Sequence, residues 1–215
     1  MDHNTTGTAT RLVNKRVRSR TATLAGGLRG ELVRKSLHML IAFVPSIATM
    51  AGVGPTLALL ATGVLFYAGA EYVRLQGGSI GFITTLTVVA SRPRDWGRFV
   101  LGPVTLGVGA MLALLLYPAP AAFLAIYALA FGDGLASVVG KLFGSIEIVG
   151  GKTVEGSLAC FVAVFAVAIG LTRHFGAAVL IAGTATVLEL LPASDMDNVV
   201  LPIGVGLMAT FLLVP

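Results

Sequence analysis

Only one cysteine, Cys160, occurs among 215 residues, and it lies inside an apolar run. A disulfide framework within the chain is therefore excluded. Charge is scarce as well: Asp, Glu, Lys and Arg make up 12% of the residues, against 56% that are hydrophobic, and mean hydropathy is +0.91. A soluble domain of this length has no means of hiding so much apolar surface, so the surplus must face lipid. The first twenty-odd residues are polar, rich in Thr and Arg, and lack an apolar core, which argues against a cleaved secretory peptide. No internal repeat, coiled coil or long linker is visible. The chain reads as a basic arm over residues 1–30 and one compact membrane domain over 31–215.

Glycine is abundant, at 27 residues, as expected where membrane helices approach closely. The net charge of +5 needs no nucleic acid as partner, because the basic residues lie beside apolar segments where topology accounts for them. The arm carries Arg11, Lys15, Arg16, Arg18 and Arg20, a set attracted to anionic lipid and equally explained as topogenic charge.

Seven segments are apolar enough to cross: Leu37–Val53, Pro55–Val73, Phe99–Tyr117, Ala119–Val139, Leu158–Leu171, Ala177–Leu191 and Val199–Val214. The stretch Ser79–Ser91 is weakly apolar and is expected to lie at the interface or re-enter rather than cross. With seven spans and the N-terminus inside, Arg29, Arg34, Lys35, Arg74, Arg92, Arg94, Arg98, Lys141 and Lys152 are all cytoplasmic, and only Arg173 is outside. That asymmetry follows the positive-inside rule. The fold class is thus an all-α integral membrane bundle of about seven helices.

Ionisable residues near membrane depth are costly and usually face a bundle interior or a watery cavity. In this topology they gather at cytoplasmic helix ends. Entering the first span, Glu31, Arg34, Lys35 and His38 form one group; Arg34 and His38 are four apart and share a face suited to phosphate. A Glu31–Lys35 pair is the plainer account of the charges. Near the end of the fourth span, Asp133 stands between Gly132 and Gly134, with Ser137, Gly140 and Lys141 beyond. A bare carboxylate at a helix C-terminus is disfavoured by the dipole, and a bound Mg²⁺ would resolve the cost. An ion pair of Asp133 with Lys141 or Lys152 competes with that reading.

The third group is Gly150-Gly151-Lys152-Thr153-Val154-Glu155-Gly156-Ser157, ahead of the fifth span. It is not a Walker A loop, because Ile146 occupies the first glycine position and no β-strand is expected before it. A helix N-terminus beside a lysine still suits an anion, while Thr153 or Ser157 would serve as a cap. The fourth group is Glu189 with Asp195, Asp197 and Asn198. Glu189 sits near a helix C-terminus, and Asp197 and Asn198 are N-cap types that equally suit a metal or ribose contact. Glu71 and Arg74, three apart, read as a salt bridge.

In combination and order, Arg34-Lys35-x-x-His38, Gly132-Asp133-Gly134 with Gly140-Lys141 and Gly144, Lys152-Thr153-x-Glu155-Gly156-Ser157, and Glu189 with Asp197-Asn198 and Pro202 resemble the CTP-dependent polyprenol kinase family. That family contains dolichol kinase, phytol kinase and the CTP-dependent diacylglycerol kinase, and is related to the phosphatidate cytidylyltransferases. The resemblance covers the chain from about Glu31 onward. It implies transfer of the γ-phosphoryl group of CTP to the hydroxyl of a membrane lipid alcohol. It also implies catalytic roles for Asp133, Lys152, Glu189 and Asp197, with Mg²⁺ on Asp133 and Asp197. Arg34, Lys35, His38, Lys141, Thr153, Glu155, Gly156, Ser157 and Asn198 would contact nucleotide or phosphate. The implied location is a cell membrane, multi-pass, with the site on the cytoplasmic side. The sequence lacks the longer Asp- and Arg-rich ending of the cytidylyltransferases, which places CDP-lipid synthesis second. A transporter, the rival of another class, is disfavoured because the polar residues lie at one face with no matched pair of interrupted spans.

Overall fold

The structure, a computed structural model, describes residues 30–91, 95, 97–191 and 194–213. The basic arm therefore lies outside the described residues except for Gly30, as do Arg92 and Arg94. Eight helices are seen among the described residues: α1 Gly30–Ala51, α2 Val53–Leu75, α3 Gly81–Ala90, α4 Gly102–Leu116, α5 Ala121–Phe143, α6 Val154–Thr172, α7 Phe175–Glu189 and α8 Asp197–Leu213. Four of them, α1, α2, α5 and α6, are long and apolar enough to cross a membrane. The short α3 falls where the sequence indicates an interfacial segment. At 1.5 Å per residue its ten residues extend only about 15 Å, half of a hydrocarbon core.

α5 is the central helix, with Leu124, Ile126 and Leu129 wholly buried. One face packs with α6, α7 and α8 around Val164, Ile181, Leu201 and Val205. The other packs with α1 and α4 around Ile41, Val44, Ala110 and Leu114. Alanine and glycine dominate both contacts, because without water to drive association the helices gain by approaching closely. At the α5–α6 crossing, a Cβ on Gly156 would come 2.7 Å from the carbonyl oxygen of Ala136, and one on Gly140 would come 2.9 Å from Thr153 Oγ1. Gly156→Ala is accordingly expected to lower stability by about 1–3 kcal/mol through overpacking. A lowered unfolding midpoint in detergent checks this.

Two local features depart from the sequence reading. A strand does precede Lys152: β1 Glu147–Val149 pairs antiparallel with β2 Lys152–Thr153. Gly150 and Gly151 take φ of +57° and +81°, the conformation of a two-residue hairpin turn that glycine adopts without steric cost. The Gly-Gly pair thus makes a tight turn after a β-branched run and not a P-loop. Secondly, Asp133 does not stand at a helix C-terminus. The helix continues ten residues beyond it to Phe143, after a π-helical turn over Ala128–Asp133, so the dipole argument made for Asp133 fails.

Elsewhere, Arg74 meets Glu71 with two hydrogen bonds of 2.7 Å, as their spacing indicates. Buried Glu71 also accepts the Val100 N–H at 2.8 Å, and Arg74 donates to the Arg98 carbonyl at 2.8 Å. The salt bridge therefore fastens the chain ahead of α4 to the end of α2.

Candidate active site

The polar ends of α1, α5, α6, α7 and α8 meet around one cavity of about 690 Å³. Of the residues singled out in the sequence, Arg34, Lys35, His38, Asp133, Lys141, Lys152, Thr153, Gly156, Ser157, Glu189, Asp197 and Asn198 all line it. Glu155 does not. Its carboxylate turns back to accept the Ser145 N–H at 2.9 Å and the Ser145 hydroxyl, fixing the loop after α5.

The ion pairs differ from the local ones that spacing offered. Asp133, 7% exposed, is held by Lys35, itself 5% exposed, and lies 3.3 Å from His38 Nε2. That same nitrogen is 2.9 Å from the Leu129 carbonyl, so a proton on Nε2 donates there. Lys35 and His38, one turn apart, thus form the face of α1 that meets the π-helical turn. Arg34 points instead to Glu31, which also takes Lys141 and, at 3.0 Å, the Ser137 hydroxyl. The Glu31–Lys35 pair and both proposed pairs of Asp133 give way to these contacts.

Lys152 reaches 37 residues along the chain to Glu189. Its ammonium donates to Glu189 Oε1 at 2.7 Å and to the Glu189 main-chain carbonyl. A cation there satisfies orphan carbonyls at the end of α7 and complements the negative end of its dipole. The N-terminus of α6 is less open to an anion than the sequence implies. Thr153 caps it by accepting the Gly156 N–H at 3.2 Å, and the Val154 N–H donates to the Ile146 carbonyl. Asn198 does not cap α8 either: its amide donates to Thr105 Oγ1 at 2.9 Å and to the Gly102 carbonyl at 3.3 Å, tying α8 to the start of α4.

Three buried oxygens on the wall have no hydrogen-bond partner among the described residues: Ser157 Oγ, Glu189 Oε2 and Asp197 Oδ1. Buried polar groups of native proteins are normally satisfied, so these oxygens are open to a donor or a cation. No three His, Cys, Asp or Glu side chains among the described residues gather as a closed metal cage. Mg²⁺ needs none, since it characteristically takes one or two carboxylates together with substrate phosphates and water. The unpartnered Asp197 Oδ1 fits that ion, while Asp133, which lines the same cavity, is already paired with Lys35. Arg34, Lys35, Lys141 and Lys152 line the same cavity as Asp95, Asp133, Glu189, Asp195 and Asp197.

The cavity continues away from these groups into an apolar end between α1, α2, α3 and α4, where Phe66, Ile83 and Leu86 are among the lining residues. Tyr67 and Thr87 line it too, and the Tyr67 hydroxyl donates to the Val100 carbonyl at 3.1 Å. Sequence reasoning singled out none of these residues, because apolar residues on a membrane helix look alike whether they face lipid or a cavity.

No model of a known protein family matches the chain, and no solved structure does. Over 162 residues the chain is 28% identical to a curated protein of Triticum aestivum, with 65% of this chain and 54% of that protein covered. The chain spans about half the length of the curated relative it matches. That relative is named a probable chloroplastic phytol kinase.

Proposed function

We propose that the chain is a CTP-dependent lipid kinase that transfers the γ-phosphoryl group to the hydroxyl of a membrane lipid alcohol of the polyprenol, phytol or diacylglycerol kind. The observation that carries the reading is the single cavity with two unlike ends, one of carboxylates and lysines, the other apolar. A reaction between a polyphosphate and a lipid hydroxyl needs both. The wheat relative's name supports the lipid-alcohol acceptor; preference for CTP rests on the motif resemblance.

Phosphoryl transfer is mostly positioning and charge neutralisation. Lys152 contacts Glu189, whose other carboxylate oxygen is unpartnered, and takes the triphosphate oxygens, exchanging its carboxylate contact for a phosphate one. Arg34, Lys35, His38 and Lys141 bound the same space and orient the phosphates; Thr153, Gly156 and Asn198 shape its floor. Asp133 and Asp197 would hold Mg²⁺, which supplies charge neutralisation at the transferring group when bound. Glu189 or Asp197 accepts the acceptor's hydroxyl proton as its oxygen bonds to the γ-phosphorus. The bond to the β,γ-bridging oxygen then breaks and CDP leaves.

Seven crossings with a cytoplasmic N-terminus place all these groups at the inner face of a cell membrane. The reading draws on the gathering of Arg34, Lys35, Lys141 and Lys152 at one end of the bundle and on Arg173 as the basic residue at the other. Purified protein in bilayers with Mg²⁺, a panel of lipid alcohols and γ-labelled CTP or ATP tests the proposal. Label is expected in lipid from CTP, with one acceptor class preferred. Folded protein that binds no nucleotide would overturn it and favour a transporter.

A further inference from the structure

The apolar end of the cavity takes one wall from each of four helices: Leu37 of α1, Gly63 and Phe66 of α2, Ile83 and Leu86 of α3, and Leu106 of α4. Its outer side is open. Phe66 is 60% exposed and its neighbour Leu65 is 72% exposed, on a helix whose outward face is apolar. The cavity is thus lined both by buried carboxylates and by Phe66 on the outward, apolar face of α2.

Gly63 stands midway along α2, where glycine is a poor helix former. Several helical glycines here are explained by close packing: a Cβ on Gly107 would collide with Val64, and one on Gly109 with the Asn198 carbonyl. A Cβ on Gly63 meets nothing within 4 Å. Gly54, Gly69, Gly170, Gly176 and Gly183 share that freedom but do not line the cavity; Gly102 does, yet it opens α4 and holds Asn198 through its carbonyl. Gly63 is thus a gap in the wall of the cavity itself. The short α3, too brief to cross, places Ile83 and Leu86 on the same apolar end.

We propose that this apolar end seats the hydrocarbon tail of the acceptor, with Gly63 as the specificity-determining position that keeps it open and α3 as one of its walls. The occupant's identity rests on the lipid-kinase reading, and continuity with the charged end commits the seat to a lipid whose hydroxyl lies inward. The tail enters beside Phe66, and its distal part stays in the bilayer. α3 is then part of the substrate site and not a passive link between α2 and α4.

The test uses the full chain in bilayers, with Gly63→Ala, Gly63→Leu and, from another wall, Leu86→Trp. A long-chain alcohol carrying a diazirine in its tail is photolysed without nucleotide, and cross-linked peptides are mapped. Phosphoryl transfer is measured in parallel with long and short alcohols. Labelling is expected on the segments holding Phe66 and residues 81–90, reduced in Gly63→Leu and in Leu86→Trp. In Gly63→Leu the KM for the long alcohol should rise roughly 10- to 200-fold, the scale of misfit in an apolar pocket. Gly63→Ala should fall between, the short alcohol should be little affected, and CTP binding should be unchanged. Labelling at these segments with no transfer from CTP would support the seat while sinking the kinase reading. Equal labelling and equal KM in all variants would overturn the seat. So would labelling by diazirine phosphatidylcholine that the alcohol fails to displace, since the end would then hold a structural lipid.

Discussion

Asp133→Asn is expected to remove phosphoryl transfer and to loosen the bundle at the same time. Asp133 is buried between Lys35 and His38 on α1, and it borders the cavity in which the phosphates are expected to sit. Removing one partner of a buried pair leaves the other charge uncompensated, at a cost of about 3–5 kcal/mol. Loss of activity in the single variant would therefore mix two causes. The double variant Lys35→Met with Asp133→Leu isolates the stability cause, because replacing both members of a buried pair by apolar groups is often neutral or stabilising. The double variant should regain much of the lost unfolding midpoint and none of the activity. Recovery of transfer alongside stability would show that Asp133 serves only to hold α1 against α5.

Lys152→Met is expected to lower kcat/KM for nucleotide by about 10²–10³-fold, the scale seen when one donor to a developing charge is removed. The lysine is placed by the Gly150-Gly151 turn on one side and by the end of α7 on the other. In the absence of nucleotide, Glu189, 4% exposed, is its partner. Lys152→Met alone strands that carboxylate, whereas Lys152→Met with Glu189→Gln does not. If the lysine acts on the triphosphate, the double variant should fold better and still bind CTP poorly. Arginine in its place keeps the charge but spreads it over a planar fork, and should recover binding only in part. CTP binding by either methionine variant at the affinity of the unaltered chain would remove Lys152 from the nucleotide site.

Much of the site was legible because of what a membrane does to charge. A carboxylate or ammonium deep in an apolar segment stands out, and for Lys152, Glu189 and Asp197, though not for mid-helix Asp133, placement at a helix end brings them to one face. Asp133, Lys152, Glu189 and Asp197 did come to one cavity. Their partners were not legible. Asp133 and Lys141 are eight residues apart on one helix, about 12 Å along its axis, so the nearby lysine is out of reach. Lys35, 98 residues away in the chain, is adjacent only because α1 packs on α5. Glu155 misled for a similar reason: its motif position near Lys152 said nothing of a side chain that turns back to Ser145. The hairpin was missed because three residues of strand are too few to show an alternating pattern, though the Gly-Gly pair was visible. The apolar end, Gly63 included, left no mark that distinguishes a cavity wall from a lipid-facing stripe.

The central claim is that the γ-phosphorus of a nucleotide is delivered to a lipid hydroxyl within this cavity. The most direct measurement supplies purified protein, Mg²⁺, a lipid alcohol and phosphatidate with CTP labelled at either the α or the γ phosphorus. Label in the lipid from the γ position alone, with CDP released, is the expected result. Label in the lipid from the α position, with pyrophosphate released, would contradict the claim and make the chain a cytidylyltransferase.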